Sequence, residues 1–348
     1  MKVIHLYFLK GESNMKFEKY FIVANTREQF ENESKISPRP YSDHPSQKSI
    51  YFVVDELKKA GFKTEFFGGV GSLLEACNQR ASFPQTLFLN FSDGLNQISR
   101  KAQSAILLEL LNVPYAGSDP LARLIAGNKA YAKKIVSSRL EVPKSLTVFD
   151  CSTHPIPLHF PVIIKPNREG SSLGISQKSI CSTVGELRER LPDLITRFHE
   201  VLIEEYIPGY EITCFIIGNI GHYYLTEPII CEYNGIQYFD NFVFGLEEKA
   251  NRKRTEYLAK NILTSQQVAT ICTAAQTAFE LLNMHDFARV DFRLQENGHL
   301  FFIEINGNAV ISETSEIGII SRELGIPFGE IVGNIINAAT ERLIMTKI

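Results

Sequence analysis

Apolar and polar positions alternate in two different rhythms along this chain. In the first third, strand and helix patterns take turns: Val3–Leu9 reads as a strand, Gln47–Ala60 as an amphipathic helix stopped by Gly61, and Lys63–Phe67 as a strand again, a βαβ opening. Thr86–Asn90 is the next strand. Ser99–Asn112 follows as a helix, with Ala105, Leu108 and Leu111 at three-residue spacing and Pro114 just past its end. The polar stretch from Thr26 to Ser46, punctuated by Pro38, Pro40 and Pro45, reads as a mobile loop, and Gly68-Gly-Val-Gly-Ser72 as a turn. Prolines at 143, 155, 157 and 161 mark a boundary, leaving one short extended piece near Leu146–Phe149.

Beyond residue 160 short apolar strands crowd together: Val162–Lys165, Val201–Tyr206, Glu211–Gly218, His222–Glu227, Phe287–Leu294 and His299–Asn306. A helix over Ser265–Leu282 separates the last two from the rest. Thr264 with Gln267 three residues later forms its capping-box pattern.

A length of 348 residues is too long for one small module and points to two or three units. Basic and acidic residues nearly balance, 36 against 39, so no broad positive field gathers phosphate backbones and nucleic acid is not the expected partner. Val3–Leu9 is far shorter than the roughly 20 residues that span a bilayer, so no membrane partner is expected either. The six cysteines lie dozens of residues apart with no Cys-x-x-Cys, which fits reduced core thiols and a cytoplasmic address.

The chemistry concentrates after residue 160. In Lys165-Pro-Asn-Arg-Glu-Gly-Ser-Ser-Leu-Gly174 a strand ends in a lysine, and two glycines and two serines follow. Glycines let the backbone curl around an anion, hydroxyls and amides donate to phosphate oxygens, and the lysine supplies a point charge. No Gly-Lys-Ser/Thr occurs, so this is not a P-loop; an ordinary Gly/Ser hairpin loop is the plainer alternative.

Alternation puts Arg289 and Asp291 on one face of one strand, and Glu304 and Asn306 on one face of another. The Glu296-Asn-Gly-His299 turn suggests that these strands pair, bringing the four polar groups together. Oxygen ligands without Cys or His suit Mg²⁺. A structural ion cluster of Arg289 with Asp291 and Glu304 is the alternative. In Val201-Leu-Ile-Glu-Glu-Tyr-Ile-Pro-Gly-Tyr-Glu211, Glu204 and Glu211 suit an adenine amino group and ribose hydroxyls.

Together these pieces resemble the ATP-grasp superfamily, and most closely its D-alanine:D-alanine ligase family, over nearly the whole chain. Asn90-Phe-Ser-Asp-Gly94, Leu110–Asp119 and Asn128-Lys129 look like the family's amino-terminal tract, and Glu169-Gly-Ser-Ser172 like its phosphate lid. The resemblance implies a three-domain ATP-grasp α/β (α+β) fold: a Rossmann-like N-terminal α/β domain at 1–121, a central lid domain at 122–208 and a C-terminal domain at 209–348. It implies an ATP-dependent carboxylate:amine ligase that works through an acyl phosphate on small amino acids or peptides. Lys129 and Lys165 would hold ATP phosphates under a lid of Glu169, Gly170, Ser171 and Ser172. Glu204 and Ile207 would form the adenine pocket, and Glu211 would meet the ribose. Asp291, Glu304 and Asn306 would hold two Mg²⁺ (or Mn²⁺) ions. Arg289 and Ser171 would serve the reacting groups and Ser315 the second substrate's carboxylate, in a monomer or a homodimer.

The amino-acid half departs from the family. Lys10-Gly-Glu-Ser-Asn14 is only a fragment of the Gly-Gly-x-Ser-x-Glu signature, Asp240-Asn-Phe-Val-Phe-Gly245 stands where a Lys-Tyr pair belongs, and Val310 replaces the glycine of a Pro-Gly-Met turn. Phe242, Val243 and Phe244 put apolar bulk on that loop, so the expected substrates are not two D-alanines but a pair with one bulkier or less polar member. The rival classes are a dipeptide ligase of secondary metabolism and a nucleotide-binding protein without ligase activity.

Overall fold

The computed structural model describes residues 17–30, 44–95, 98–151, 156–245, 248 and 253–346. The expected strand at 3–9, the fragment at 10–14 and most of the 26–46 loop lie outside the described residues. A first sheet of four parallel strands, β1 (Lys19–Val23), β2 (Thr64–Gly68), β3 (Thr86–Asn90) and β4 (Tyr115–Ala116), runs in the order β2-β1-β3-β4. Every residue of β3 is buried, as a strand covered on both faces requires. Helix α1 (Gln47–Lys59) covers one face with Ile50, Val53, Val54 and Leu57 at helical spacing, and Ser46 caps it by accepting from the Ser49 amide at 3.1 Å.

The Gly68–Ser72 segment is not a bare turn: it leads into helix α2 (Val70–Asn78), which with α3 (Arg100–Leu110) covers the sheet's other face through Val70, Leu73, Leu107 and Leu108. The cap at Gly69 has no side chain. Asn25 Oδ1, at the end of β1, accepts from the Val70 amide at 3.0 Å instead, so the helix start is completed by a residue 45 positions away.

Two short helices, α4 (Pro120–Ala126) and α5 (Lys129–Val136), follow. The sequence division places them in the central unit, yet Ala122, Ala126, Ala132 and Val136 pack into the core of the third sheet. The second sheet is antiparallel, β5 (Ser145–Val148), β6 (Val162–Pro166), β7 (Ile180–Cys181) and β8 (Val201–Glu205) in the order β5-β8-β6-β7. Helix α6 (Val184–Phe198) lies against Val162, Ile164, Val201 and Ile203. Alternation sends Lys165 and Glu204 to the opposite face.

The third sheet contains β9 (Gly209–Asn219), β10 (His222–Tyr233), β11 (Tyr238–Phe239), β12 (Arg254–Leu258), β13 (Asp286–Leu294) and β14 (Leu300–Asn306) in the order β12-β10-β9-β13-β14, with β11 also on β9. Helix α7 (Ser265–Leu281) packs on the face carrying Ile216, Val290 and Phe292, and its Thr264/Gln267 capping box is formed. Phe215, Ile217 and Phe287 point the other way, into a core shared with α1, α8 (Glu316–Leu324) and α9 (Phe328–Met345). Buried Asp286 fastens the first and third sheets: it accepts from the Gly117 amide at 2.8 Å and from Arg342 at 3.0 and 2.7 Å. Among the described residues no helix is long and apolar enough to cross a membrane.

Candidate active site

Lys129 and Lys133 are four residues apart on α5 and share one face. Lys129 Nζ lies 3.2 Å from Glu304 Oε2 and donates to the Glu169 carbonyl, joining β14 to the lid loop. Lys133 Nζ donates to the Phe302 and Ile303 carbonyls at 3.2 and 2.6 Å and sits 3.3 Å from Glu204 Oε2. Lys165 donates to the other oxygen of Glu204. Burial alone would raise the Glu204 pKa, but the two lysines overcome it and hold the carboxyl below its ordinary value. Burial pushes Lys133 down to about 8. The carboxylate read from sequence as an adenine acceptor is thus clasped between two cations.

Strands β13 and β14 pair as their turn suggested, and past a bulge between Asp291 and Phe292, Arg289 faces Asn306 and Asp291 faces Glu304. Arg289 donates to both oxygens of Asp291, at 3.0 and 2.8 Å, and to Glu316 Oε1 at 3.2 Å. Burial pushes Asp291 up to about 6, and nearby Glu304 adds to the shift against the pull of Arg289. The two carboxylates face each other at one sheet end, Asp291 beside Arg289 and Glu304 beside Lys129. Among the described residues no three His, Cys, Asp or Glu side chains converge as a metal site, and Asn306, opposite Arg289 on β14, is the further oxygen donor at this sheet end. That donor set fits a hard divalent cation whose remaining positions are taken by water and phosphate.

Ser315 is the N-cap of α8, where its Oγ donates to the Ser312 carbonyl at 2.8 Å and accepts from the Ser312 amide at 3.0 Å. The first turn of α8 presses so close to residue 313 that a Cβ on Gly318 would meet the Glu313 carbonyl oxygen at 1.8 Å. This fixes Glu316 where its Oε1 accepts from Arg289 at 3.2 Å.

The lid runs through Gly170, Ser171 and Ser172, whose serines hold φ of +50° and +59°, conformations non-glycine residues adopt at a cost. Two tight turns, Leu173 N to Gly170 O and Ile175 N to Ser172 O, each 3.0 Å, curl its amides inward. Glu169 is 3.4 Å from Arg100. Lid, hairpin and α5 border an open cleft whose lining includes Lys129, Glu169, Gly170, Glu304 and Asn306, along with Lys101, Arg123 and Asn308. Half-buried Ile207 lies just past β8, and Glu211 on β9 accepts from Arg293 at 2.9 Å, a pairing not foreseen.

The loop at 239–245 does not remake a substrate pocket with apolar bulk. Tyr206 Oη donates to the Phe239 and Phe242 carbonyls at 3.2 and 2.9 Å, and Arg293 also reaches Phe242 O. Phe244 is buried against Phe239, Phe242 and Tyr233, and Val243 against Ile163 and Ile180. Two residues escaped sequence reading. Lys133 had a usable signal, its four-residue spacing from Lys129; Glu316 had none, because its role depends on where α8 lands.

A family model for the D-ala D-ala ligase C-terminus matches residues 150–337, more than half of the chain. A D-alanine–D-alanine ligase of Geobacillus kaustophilus is 30% identical over 68% of this chain, the match spanning 65% of that relative; one of Aquifex aeolicus is 30% identical over 66% of this chain and 75% of its own length. A crystal structure of the Bacillus anthracis D-alanine–D-alanine ligase complexed with ATP superposes with a TM-score of 0.71 at 19% identity, covering 95% of this chain and 99% of that one. The fold is thereby the ATP-grasp fold that the sequence resemblance implied. Matched by the family model across the strands that carry Lys165, Glu204, Asp291 and Glu304, the chain belongs to the D-alanine:D-alanine ligase family.

Proposed function

We propose that this chain is an ATP-dependent, ADP-forming ligase that joins the carboxylate of one small amino acid to the amine of another through an acyl phosphate. The observation that carries the proposal is the hairpin register setting Arg289, Asp291, Glu304 and Asn306 against one another, with Lys129 bridging from Glu304 to the lid. A substrate carboxylate oxygen attacks the γ-phosphorus while ADP leaves. The amine then adds to the acyl carbon and phosphate departs with that oxygen. No protein nucleophile is required; the enzyme positions reactants and neutralises charge.

In this assignment Lys129 and Lys165 hold ATP phosphates beneath Glu169, Gly170, Ser171 and Ser172, with the adenine at Glu204 and Ile207 and the ribose at Glu211. Arg289, gripped by Asp291 and Glu316, aims its remaining N–H groups at the transferring phosphoryl group and the developing oxyanion. Asp291, Glu304 and Asn306 would hold one or two Mg²⁺ or Mn²⁺ ions, which when bound neutralise phosphate charge. Ser315 meets the acceptor carboxylate by exchanging its bond to Ser312. Free cysteine thiols and the near balance of charge support a cytoplasmic enzyme of small molecules, acting without nucleic acid or membrane, as monomer or homodimer.

A second reading, a ligase of non-D-alanine amino acids, is favoured by Val310 and by the missing Lys-Tyr pair at 240–245. A screen of amino-acid pairs for phosphate release separates the readings. We expect release to require added amino acid, and two D-alanines to be a poor pair. Efficient D-alanyl-D-alanine synthesis above all other pairs would defeat the second reading. ATP binding without amino-acid-dependent turnover would leave a nucleotide-binding protein.

A further inference from the structure

Arg123 of α4, in the wall of the cleft, is almost wholly buried, yet much of its hydrogen-bonding capacity is idle. Its Nη2 donates to the Ser92 carbonyl at 2.6 Å and lies 3.7 Å from Asp93 Oδ1, while Nε and Nη1 have no partner. A guanidinium cannot shed its charge, and a buried N–H left unmet is costly. Arg123 does not stand alone. Lys101 and Arg100 also meet Asp93, so three cations converge on one carboxylate. From the facing loop after β14, Asn308 Nδ2 donates to Asp93 at 3.2 Å, and its Oδ1 has no partner. Arg123, Lys101 and Asn308 all line the cleft that holds Lys129, Glu304 and Gly170. Residues that carry idle buried donors and an idle buried acceptor thus line the same cleft as the groups assigned to the reacting phosphate.

We propose that this part of the cleft binds the amino acid whose carboxylate is activated, and that it selects a dicarboxylic amino acid, Arg123 with Lys101 receiving the side-chain carboxylate and Asn308 Oδ1 the ammonium group. The inference rests on the ligase reading and names its donor substrate. It moves substrate selection from the 239–245 loop, which is packed into core, to the wall formed by α4, α3 and the residues just after β14. An acidic group here satisfies buried N–H groups that an amide or methyl side chain leaves unmet or meets poorly, the kind of difference that discriminates strongly.

The test is calorimetric binding of aspartate, glutamate, asparagine and glutamine, in both chiralities, to the full chain with Mg²⁺ and a non-hydrolysable ATP analogue, alongside phosphate release with each. We expect one acid to bind at least about tenfold more tightly than its amide. Arg123→Met should erase that preference, Arg123→Lys should recover part of it, and affinity for the ATP analogue should not change. Equal binding of acid and amide to the unaltered protein, or no binding of either, overturns the inference without need of a variant. So does a uniform loss for acid and amide in Arg123→Met, which marks a purely structural arginine. Phosphate release with neutral amino acids alone leaves the ligase reading intact and removes this inference; Arg123-dependent acid binding without phosphate release from any amino acid does the reverse.

Discussion

Glu304→Gln is expected to melt like the unaltered protein and to lose turnover by on the order of a hundredfold or more. Glu304 faces Asp291 across the hairpin and pairs with Lys129 at 3.2 Å, so the neutral amide removes the charge that a divalent cation and the phosphate-side lysine both require. The change is isosteric and the side chain is not fully enclosed, so packing is little disturbed. Steady-state turnover across a Mg²⁺ series, read beside a thermal melt, checks both halves. Near-normal activity at limiting Mg²⁺ would mean that the hairpin is only an ion cluster.

Lys133→Met should have the largest effect on stability, lowering the melting temperature by roughly 5–10 °C. Three elements meet at this ammonium: α5, which carries it; β14, whose Phe302 and Ile303 carbonyls it satisfies; and β8, whose Glu204 it faces at 3.3 Å. Removing it leaves two carbonyls without this donor and a buried carboxylate with Lys165 as its remaining cation. Breaking a buried pair from one side is costly because the other charge stays buried. Adding Glu204→Gln to Lys133→Met should recover part of the loss. A single variant that melts unchanged would show that the Lys-Glu-Lys group holds nothing together.

Elements specified by near neighbours were legible from the sequence. Thr264 and Gln267 cap α7 within one turn, and Ile50 to Leu57 carry the face of α1 in their own spacing. The pairing of β13 with β14 followed from a short turn, but the bulge between Asp291 and Phe292 that sets Arg289 against Asn306 and Asp291 against Glu304 has no local sequence signal. Where a structural cause lies far away in the chain, reading failed. Gly68–Ser72 reads as a turn and gives no sign of helix α2, because Asn25 supplies that helix's cap from 45 positions away. Phe244 and Val243 looked like pocket lining because nothing local reveals that Tyr206 and Arg293 hold their loop against core. Glu204 and Lys165 were both identified, but their pairing depends on diagonal neighbours across β6 and β8, and the third member, Lys133, arrives from a helix packed on another sheet.

The most direct test of the acyl-phosphate reaction follows oxygen. When the donor amino acid carries ¹⁸O in its carboxylate, attack on the γ-phosphorus and departure of phosphate must carry one labelled oxygen into each phosphate released. Mass spectrometry of the phosphate after turnover with ATP, Mg²⁺, labelled donor and an acceptor amine is predicted to show one ¹⁸O per phosphate, matched by one dipeptide. Unlabelled phosphate would contradict the proposed reaction, because it would mean that water, and not a substrate carboxylate, attacks ATP in this cleft.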